Sequence, residues 1–507
     1  MKLPAILLST ALGAVMAFAA PVSAQQSRFD EIANLPMEHN RPTAETAKNL
    51  LEELTFQRAT QTYLWALPLL NTMGMRDGAD KAFGTGYNVM QIWSKRLDAK
   101  TLVTTPNSDL IYGMTFVDLS ETGPLVFEAA PKLQGILLDM WQRPIPEDSG
   151  DFFGDVGLPG PDAGAGGKFL ILPPGYKGDV PEGYYVYRSG TNNVFIFLRA
   201  FYQDPSDTSP AVDLLKQSVF YPLGQKDSAK AMEFHDASGM DIDMLPRSDD
   251  TAFDQLKWLV DREGANLADP DWLGMLAGLG IAPDQPFEPD EATRKILNAA
   301  AKTGYKTSRV IGMRPGVGDA DYHVYEDRKW LNPVNNLNSR WPEAPLDLSF
   351  LTKSDVPLRA LDARSWFFTD YYSISPGMVS MTPGKGAFYM IAFEDAAGDP
   401  LVGDNTYRVK LPPDIPAALF WSVTLYKAEN ASGLDNGQPF PSFGKLDKPA
   451  TEADGSTVIT IGPEKPESGN WLATNPGEGY FAILRLYAPE EAAMDGSWKP
   501  GDFEKVE

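Results

Sequence analysis

The chain has no cysteine among its 507 residues and only three histidines. The first absence excludes disulfides, thiolate nucleophiles and cysteine-held metals. The second leaves His39, His235 and His323 as the whole imidazole inventory. No two of them stand at the spacing of a metal-binding pair, so no metal site is predicted. A nucleophilic triad would have to use one of the three, and no G-x-S-x-G elbow occurs. Basic residues are a minority: 44 Lys and Arg against 68 Asp and Glu give a formal charge of −24. Such a surface makes nucleic acid and anionic membranes poor partners. Beyond the first two dozen residues, no segment approaches the ~20 apolar residues of a membrane-spanning helix.

Those first residues read M-K-L-P-A-I-L-L-S-T-A-L-G-A-V-M-A-F-A-A-P-V-S-A. One Lys precedes an apolar stretch, and Val22-Ser23-Ala24 has the small side chains of a cleavage site. Ser9, Thr10 and Gly13 weaken the alternative of a membrane anchor, and polar sequence follows at once. The layout predicts a signal peptide at 1–24, cleaved after Ala24. Without a twin arginine the route is Sec, to a periplasmic or secreted destination. The hydrophobic fraction of 43% is that of an ordered globular protein, and the length suffices for two or three domains.

Apolar residues at Leu50, Leu51, Leu54, Ala59, Tyr63, Leu67 and Leu70 recur near the helical period, predicting helix from Thr43 to about Phe83 with a break at Pro68. From about residue 100 the pattern changes to short β runs separated by Pro and Gly: Leu110–Leu119, Gly135–Trp141, Lys168–Leu172, Tyr184–Arg188 and Val194–Phe201. Short strands at this spacing suggest a sandwich or barrel. Helix returns at Ala211–Phe220, Thr251–Glu263, Trp272–Gly280 and Pro289–Lys302, the last with an acidic start at Asp290 and Glu291. A second strand block covers Ala387–Phe393, Thr406–Leu411, Phe420–Tyr426, Thr457–Ile461 and Gly479–Tyr487. The fold class predicted is α+β, mainly β. It comprises a signal peptide (1–24), a helical segment (25–98), a β module (99–206), a helical middle segment (207–345) and a second β module (346–507).

One block stands out: G-P-D-A-G-A-G-G-K-F-L-I-L-P-P-G-Y, Gly160 to Tyr176. A glycine-rich turn lets amides converge on an anion, with Lys168 as a point charge. It is no nucleotide P-loop, because Asp162 and Phe169 stand where that pattern needs Gly and Ser or Thr, and G-x-G-x-x-G does not fit. A glycine loop that merely feeds a strand explains it as well. No cofactor is predicted. In T-T-P-N-S-D-L-I-Y, Pro106 and Asn107 favour a turn, with Asn107 and Asp109 at the mouth of a strand and Tyr112, Met114 and Phe116 on one face of it. Asp139 sits inside the apolar run G-I-L-L-D-M-W, where a carboxylate must be paired, hydrogen-bonded or shifted in pKa. Asp109 and Asp139, with Tyr112, are the candidate catalytic groups; turn capping and a buried anchor are the plainer alternatives. In F-W-S-V-T-L-Y, Ser422, Thr424 and Tyr426 share a face that either lines a pocket or meets solvent. In F-A-I-L-R-L-Y, Arg485 shares a face with Phe481, Ile483 and Tyr487 and needs an anionic partner, structural or bound. Asn107, Lys168, Trp471 and Arg485 are the candidate ligand-binding residues. His323, among Asp319, Asp321, Glu326 and Asp327, reads equally as a solvated acidic segment.

Taken together, T-P-N-S-D-L-I-Y, the glycine block, F-L-R-A-F at 197–201, G-I-A-P-D-Q-P-F-E-P-D at 280–290, F-W-S-V-T-L-Y, N-W-L-A-T at 470–474, R-L-Y-A-P at 485–489 and S-W-K-P-G-D-F at 497–503 resemble an exported bacterial family. That family joins domain of unknown function 1254 to domain of unknown function 1214. The resemblance implies an Ig-like sandwich first, a helical insert, and a jelly-roll-like sandwich second. It implies no activity and no catalytic residues. The chain departs from it after the F-W-S strand, where K-A-E-N-A-S replaces a T-R-S-like triplet. Three functions are open: a small-molecule (sugar or carboxylate) binding or envelope-associated protein, a cofactor-independent hydrolase or lyase using paired carboxylates, and an oligomeric scaffold.

Overall fold

The computed structural model describes residues 27–313, 322–332, 361–371, 383–384 and 386–506. The expected signal peptide lies outside the described residues, as do Asp319 and Asp321. The chain divides into a small unit, residues 1–54, and a large one, residues 55–507. In the small unit Ser27 caps the helix Arg28–Ala33 by accepting from the Asp30 amide. A two-residue hairpin then pairs Met37–Glu38 with Arg41–Pro42. His39 and Asn40 turn it with φ of 51° and 60°, the positive pair that a type I′ turn requires.

The large unit is α+β and mainly β. Ten strands build its first module: β1 (Val89–Ile92), β2 (Ile111–Asp118), β3 (Leu125–Ala129), β4 (Gln134–Asp139), β5 (Asp155–Val156), β6 (Gly167–Leu172), β7 (Tyr185–Arg188), β8 (Asn193–Ala200), β9 (Val219–Pro222) and β10 (Glu233–Asp236). They form a six-stranded sheet, β10-β1-β2-β8-β4-β5, and a four-stranded sheet, β7-β6-β3-β9. Ile111, Val117, Leu137, Ile196 and Leu198 meet Phe127, Phe169, Ile171 and Phe220 in the core between them. The run Ala211–Phe220, expected as helix, is helical only over Ser209–Leu215. Phe220 and Tyr221 leave it to pair with Phe127 and Val126, a non-local contact that overrides local propensity. For the same reason β1, β9 and β10 join these sheets from outside residues 99–206.

Eight strands build the second module: β11 (Ala387–Ala392), β12 (Tyr407–Leu411), β13 (Trp421–Lys427), β14 (Ser442–Gly444), β15 (Thr457–Gly462), β16 (Asn470–Ala473), β17 (Tyr480–Tyr487) and β18 (Glu504–Lys505). Their two sheets, β11-β17-β13-β14 and β16-β15-β12-β18, enclose Met390, Val409, Val423, Ile459, Leu484 and Leu486.

Each sandwich has one sheet buried on both faces. Tyr112, Met114, Phe116, Ile136 and Phe195 from the outer face of the six-stranded sheet share a core with Tyr389, Ile391, Tyr426, Phe481, Ile483 and Tyr487 of the second module and with the helices. This explains why Ser422 and Thr424 are buried rather than solvated. The predicted long helix is two, Ala44–Trp65 and Leu67–Phe83, and Pro68 falls in the first turn of the second, where its missing N–H costs no hydrogen bond. Of its apolar positions Ala59, Tyr63, Leu67 and Leu70 are buried, whereas Leu50 and Leu54 stay exposed. The middle helices are Thr251–Glu263, Pro270–Ala277 and Glu291–Met313. A Cβ at Gly74 would stand 2.3 Å from the Leu245 carbonyl oxygen, so the chain there crosses helix Leu67–Phe83 backbone to backbone. Among the described residues no helix is long and apolar enough to cross a membrane.

Candidate functional site

Period-two alternation on β2 and β8 sends Tyr112 and Arg199, directly opposite each other across the ladder, to the same outer face of the first sandwich. Phe197 stacks on Tyr112 at 4.8 Å between ring centres. On β17 the same alternation sends Arg485 and Tyr487 outward, with Tyr389 and Ser422 opposite Arg485 on the neighbouring strands. The turn Thr105–Asp109 joins the two faces. The Tyr426 hydroxyl donates to the Pro106 carbonyl at 2.7 Å, the Thr105 amide donates to Ala431 at 2.7 Å, and Asn107 Nδ2 donates to the Tyr487 hydroxyl. Asn107 Oδ1 in turn accepts from the Asp109 amide at 2.9 Å, which fixes the side chain's orientation.

These groups surround a cavity of about 50 Å³. Its polar lining is Arg485, Arg199, Asn107, Tyr112, Tyr371 and Tyr389; Leu97, Val103, Met114, Ile136 and Phe197 supply apolar wall. Arg485 is 1% exposed. Its guanidinium donates to Thr424 Oγ1 at 3.1 Å and to the Thr105 carbonyl at 3.3 Å. It lies over the Tyr389 and Tyr426 rings at 4.9 and 5.5 Å, a cation–π arrangement. Its Nε has no partner, and neither has Nε of Arg199. Among the described residues no carboxylate stands within ion-pair distance of either arginine. Burial raises the Tyr112, Tyr371 and Tyr487 hydroxyls above their ordinary pKa, and Tyr426 is pushed up to about 12. These phenols are therefore neutral donors and acceptors near pH 7, and the arginines stay charged.

Of the residues singled out from sequence, Asn107, Tyr112 and Arg485 come together here. Asp109 is buried nearby but does not line the cavity: Oδ1 accepts from Ser442 at 3.4 Å and faces Arg96 at 3.6 Å, while Oδ2 has no partner. Asp139 is engaged elsewhere. Its Oδ1 accepts the amides of Trp141 and Arg143 at 2.9 and 3.0 Å, and its Oδ2 pairs with the Arg143 guanidinium at 2.6 Å. Lys168, the second residue of β6, lies on the surface 3.9 Å from Glu128. Trp471 donates to the Gly462 carbonyl at 3.0 Å in β16. The amides of the glycine loop do converge on an anion, but the chain supplies it: buried Asp162 accepts from Gly157 at 2.7 Å and Gly166 at 3.1 Å. Arg199 was overlooked in sequence. It stands on a face with Phe195 and Phe197, the pattern that singled out Arg485. Among the described residues no group of three His, Cys, Asp or Glu could hold a metal ion.

The comparisons follow this architecture. Residues 87–222 match the model for a protein of unknown function, DUF1254, and residues 386–491 that for a protein of unknown function, DUF1214. The chain thus carries a DUF1254 match followed by a DUF1214 match, in that order. The VPA0106 protein of Vibrio parahaemolyticus has a similar fold: TM-score 0.51 and 16% identity, covering 90% of this chain and all (100%) of that one. An uncharacterised protein from Burkholderia cenocepacia aligns at TM-score 0.40 and 13% identity, over 92% of this chain and 97% of that one. No curated protein matches the sequence.

Two buried carboxylates outside the cavity lining, Asp162 and Asp370, can be tested by substitution. Asp162→Ala strands two amides and is expected to cost about 1–3 kcal/mol, whereas Lys168→Ala, 50% exposed, stays within about 0.5 kcal/mol. Equal losses in denaturant melts would contradict the role of Asp162. The second concerns Asp370, in the π-helical turn Phe367–Tyr371, which pairs with Arg309 of helix Glu291–Met313. Burial pushes its carboxyl up to about 6, against the pull of the Arg309 guanidinium. A raised folded pKa means that this group's stabilising contribution is complete below about pH 4 and is lost as pH rises through about 6. From pH 4.5 to 7 the Tm difference between wild type and Asp370→Asn should shift in the variant's favour; a constant difference contradicts the assignment.

Proposed function

We propose that this is an exported protein that binds a small organic carboxylate in the cavity between its two sandwiches. One observation carries the reading: Arg485, a permanent charge at 1% exposure, has no carboxylate partner among the described residues. Taking a guanidinium out of water costs several kcal/mol, and hydrogen bonds with cation–π contacts offset only part of that. A bound carboxylate supplies the missing charge in the bidentate geometry that the guanidinium fork favours. The neutral phenols and Asn107 add hydrogen bonds, and the aliphatic wall suits an apolar stem rather than a polyol. The expected leader at residues 1–24 supports export to the periplasm or beyond. An acid–base pair of Asp109 and Asp139 has less support, since neither lines the cavity and Asp139 is held by Arg143 and turn amides.

Thermal melts of the purified protein with acetate and propionate test the proposal. A ligand of the folded state raises Tm with its concentration. Arg485→Met is expected to remove that shift. Its effect on the ligand-free Tm is expected to be small, because relief of the buried charge offsets the loss of the hydrogen bonds to Thr424 and the Thr105 carbonyl. A large fall in Tm with the acetate shift retained would show that Arg485 is structural.

A further inference from the structure

We infer that the cavity takes a short dicarboxylate, one carboxylate held by Arg485 of the second module and the other by Arg199 of the first. The inference rests on the carboxylate-binding reading and adds the second charge. Arg199 is half-buried and lines the same cavity as Arg485. Among the described residues its side chain makes no hydrogen bond or ion pair, and its Nε is buried without a partner. A structural arginine at a domain junction normally ends on a carboxylate or a carbonyl; this one ends on the cavity. The two cations come from strands of different sheets, β8 and β17, and a monocarboxylate carries charge enough to neutralise only one of them. Tyr112 lines the same cavity as both arginines, and its hydroxyl lies within electrostatic reach of both guanidiniums. The size of the cavity, about 50 Å³, limits the ligand to a very short diacid. The side chains of Met114, Ile136 and Phe197 along its wall suit a methylene between the carboxylates.

Isothermal titration of the full-length protein at pH 7 and low ionic strength, with malonate and acetate as probes, tests this. Malonate is expected to bind at least about tenfold more tightly than acetate, the gain of one further charge-assisted pairing. Arg199→Met is expected to bring the malonate-to-acetate affinity ratio close to one, and Arg199→Lys to restore part of it. Equal wild-type affinities, or a ratio unchanged in Arg199→Met, would overturn the dicarboxylate assignment while leaving the Arg485 site standing. If neither probe binds, the carboxylate reading falls and this inference with it.

Discussion

A guanidinium sealed among tyrosines between two sandwiches is the constraint around which this molecule is arranged. Arg485 reaches the Thr105 carbonyl of the opposite module, and the contacts that join the modules cluster beside it: Tyr426 to Pro106, Asn107 to Tyr487, Thr105 to Ala431. The turn that brings Asn107 and Asp109 to the junction thus also furnishes one of the few acceptors the arginine has. Thr105 takes a φ of 43° there, an uncommon conformation for a β-branched residue that the surrounding contacts hold in place. Removing one partner of a buried polar arrangement costs more than replacing the whole by apolar groups, so a charge kept in such a place marks something other than packing.

Three other buried carboxylates, Asp139, Asp162 and Glu263, are closed systems. Asp139 has Arg143 and two amides. Asp162 gathers the amides of the glycine loop. Glu263 is held by the Asn192 and Asn193 amides and the Asn193 side chain, although burial raises its pKa. Each resolves its own desolvation inside the protein. Arg485 and Arg199 do not, and they share a cavity. Two arginines on one cavity with no carboxylate partner among the described residues, rather than burial or charge alone, pick out the site.

Much of this was legible in the sequence, for local reasons. Alternation placed Arg485 with Phe481, Ile483 and Tyr487, and Tyr112 with Met114 and Phe116, because side chains alternate faces whatever the strand pairs with. Both domain identities were carried by contiguous motifs. What could not be read was non-local. The polar row of Ser422, Thr424 and Tyr426 looks the same in sequence whether it meets water or another domain. Residues Leu125–Ala129 form a strand only because β6 and β9 flank them. Lys168 looked poised above a cradle of glycine amides, yet the third residue of its own block, Asp162, already fills that cradle. Tyr371 enters the cavity from a π-helical turn that no periodicity announces.

The central claim is that an exogenous anion completes the charge of Arg485. A crystal structure of the protein grown in malonate tests it most directly. The account predicts density for a carboxylate within hydrogen-bonding distance of the Arg485 guanidinium, inside the cavity bounded by Tyr112, Tyr389 and Arg199. Water alone in that cavity, or an Asp or Glu of the chain itself against Arg485, would contradict it.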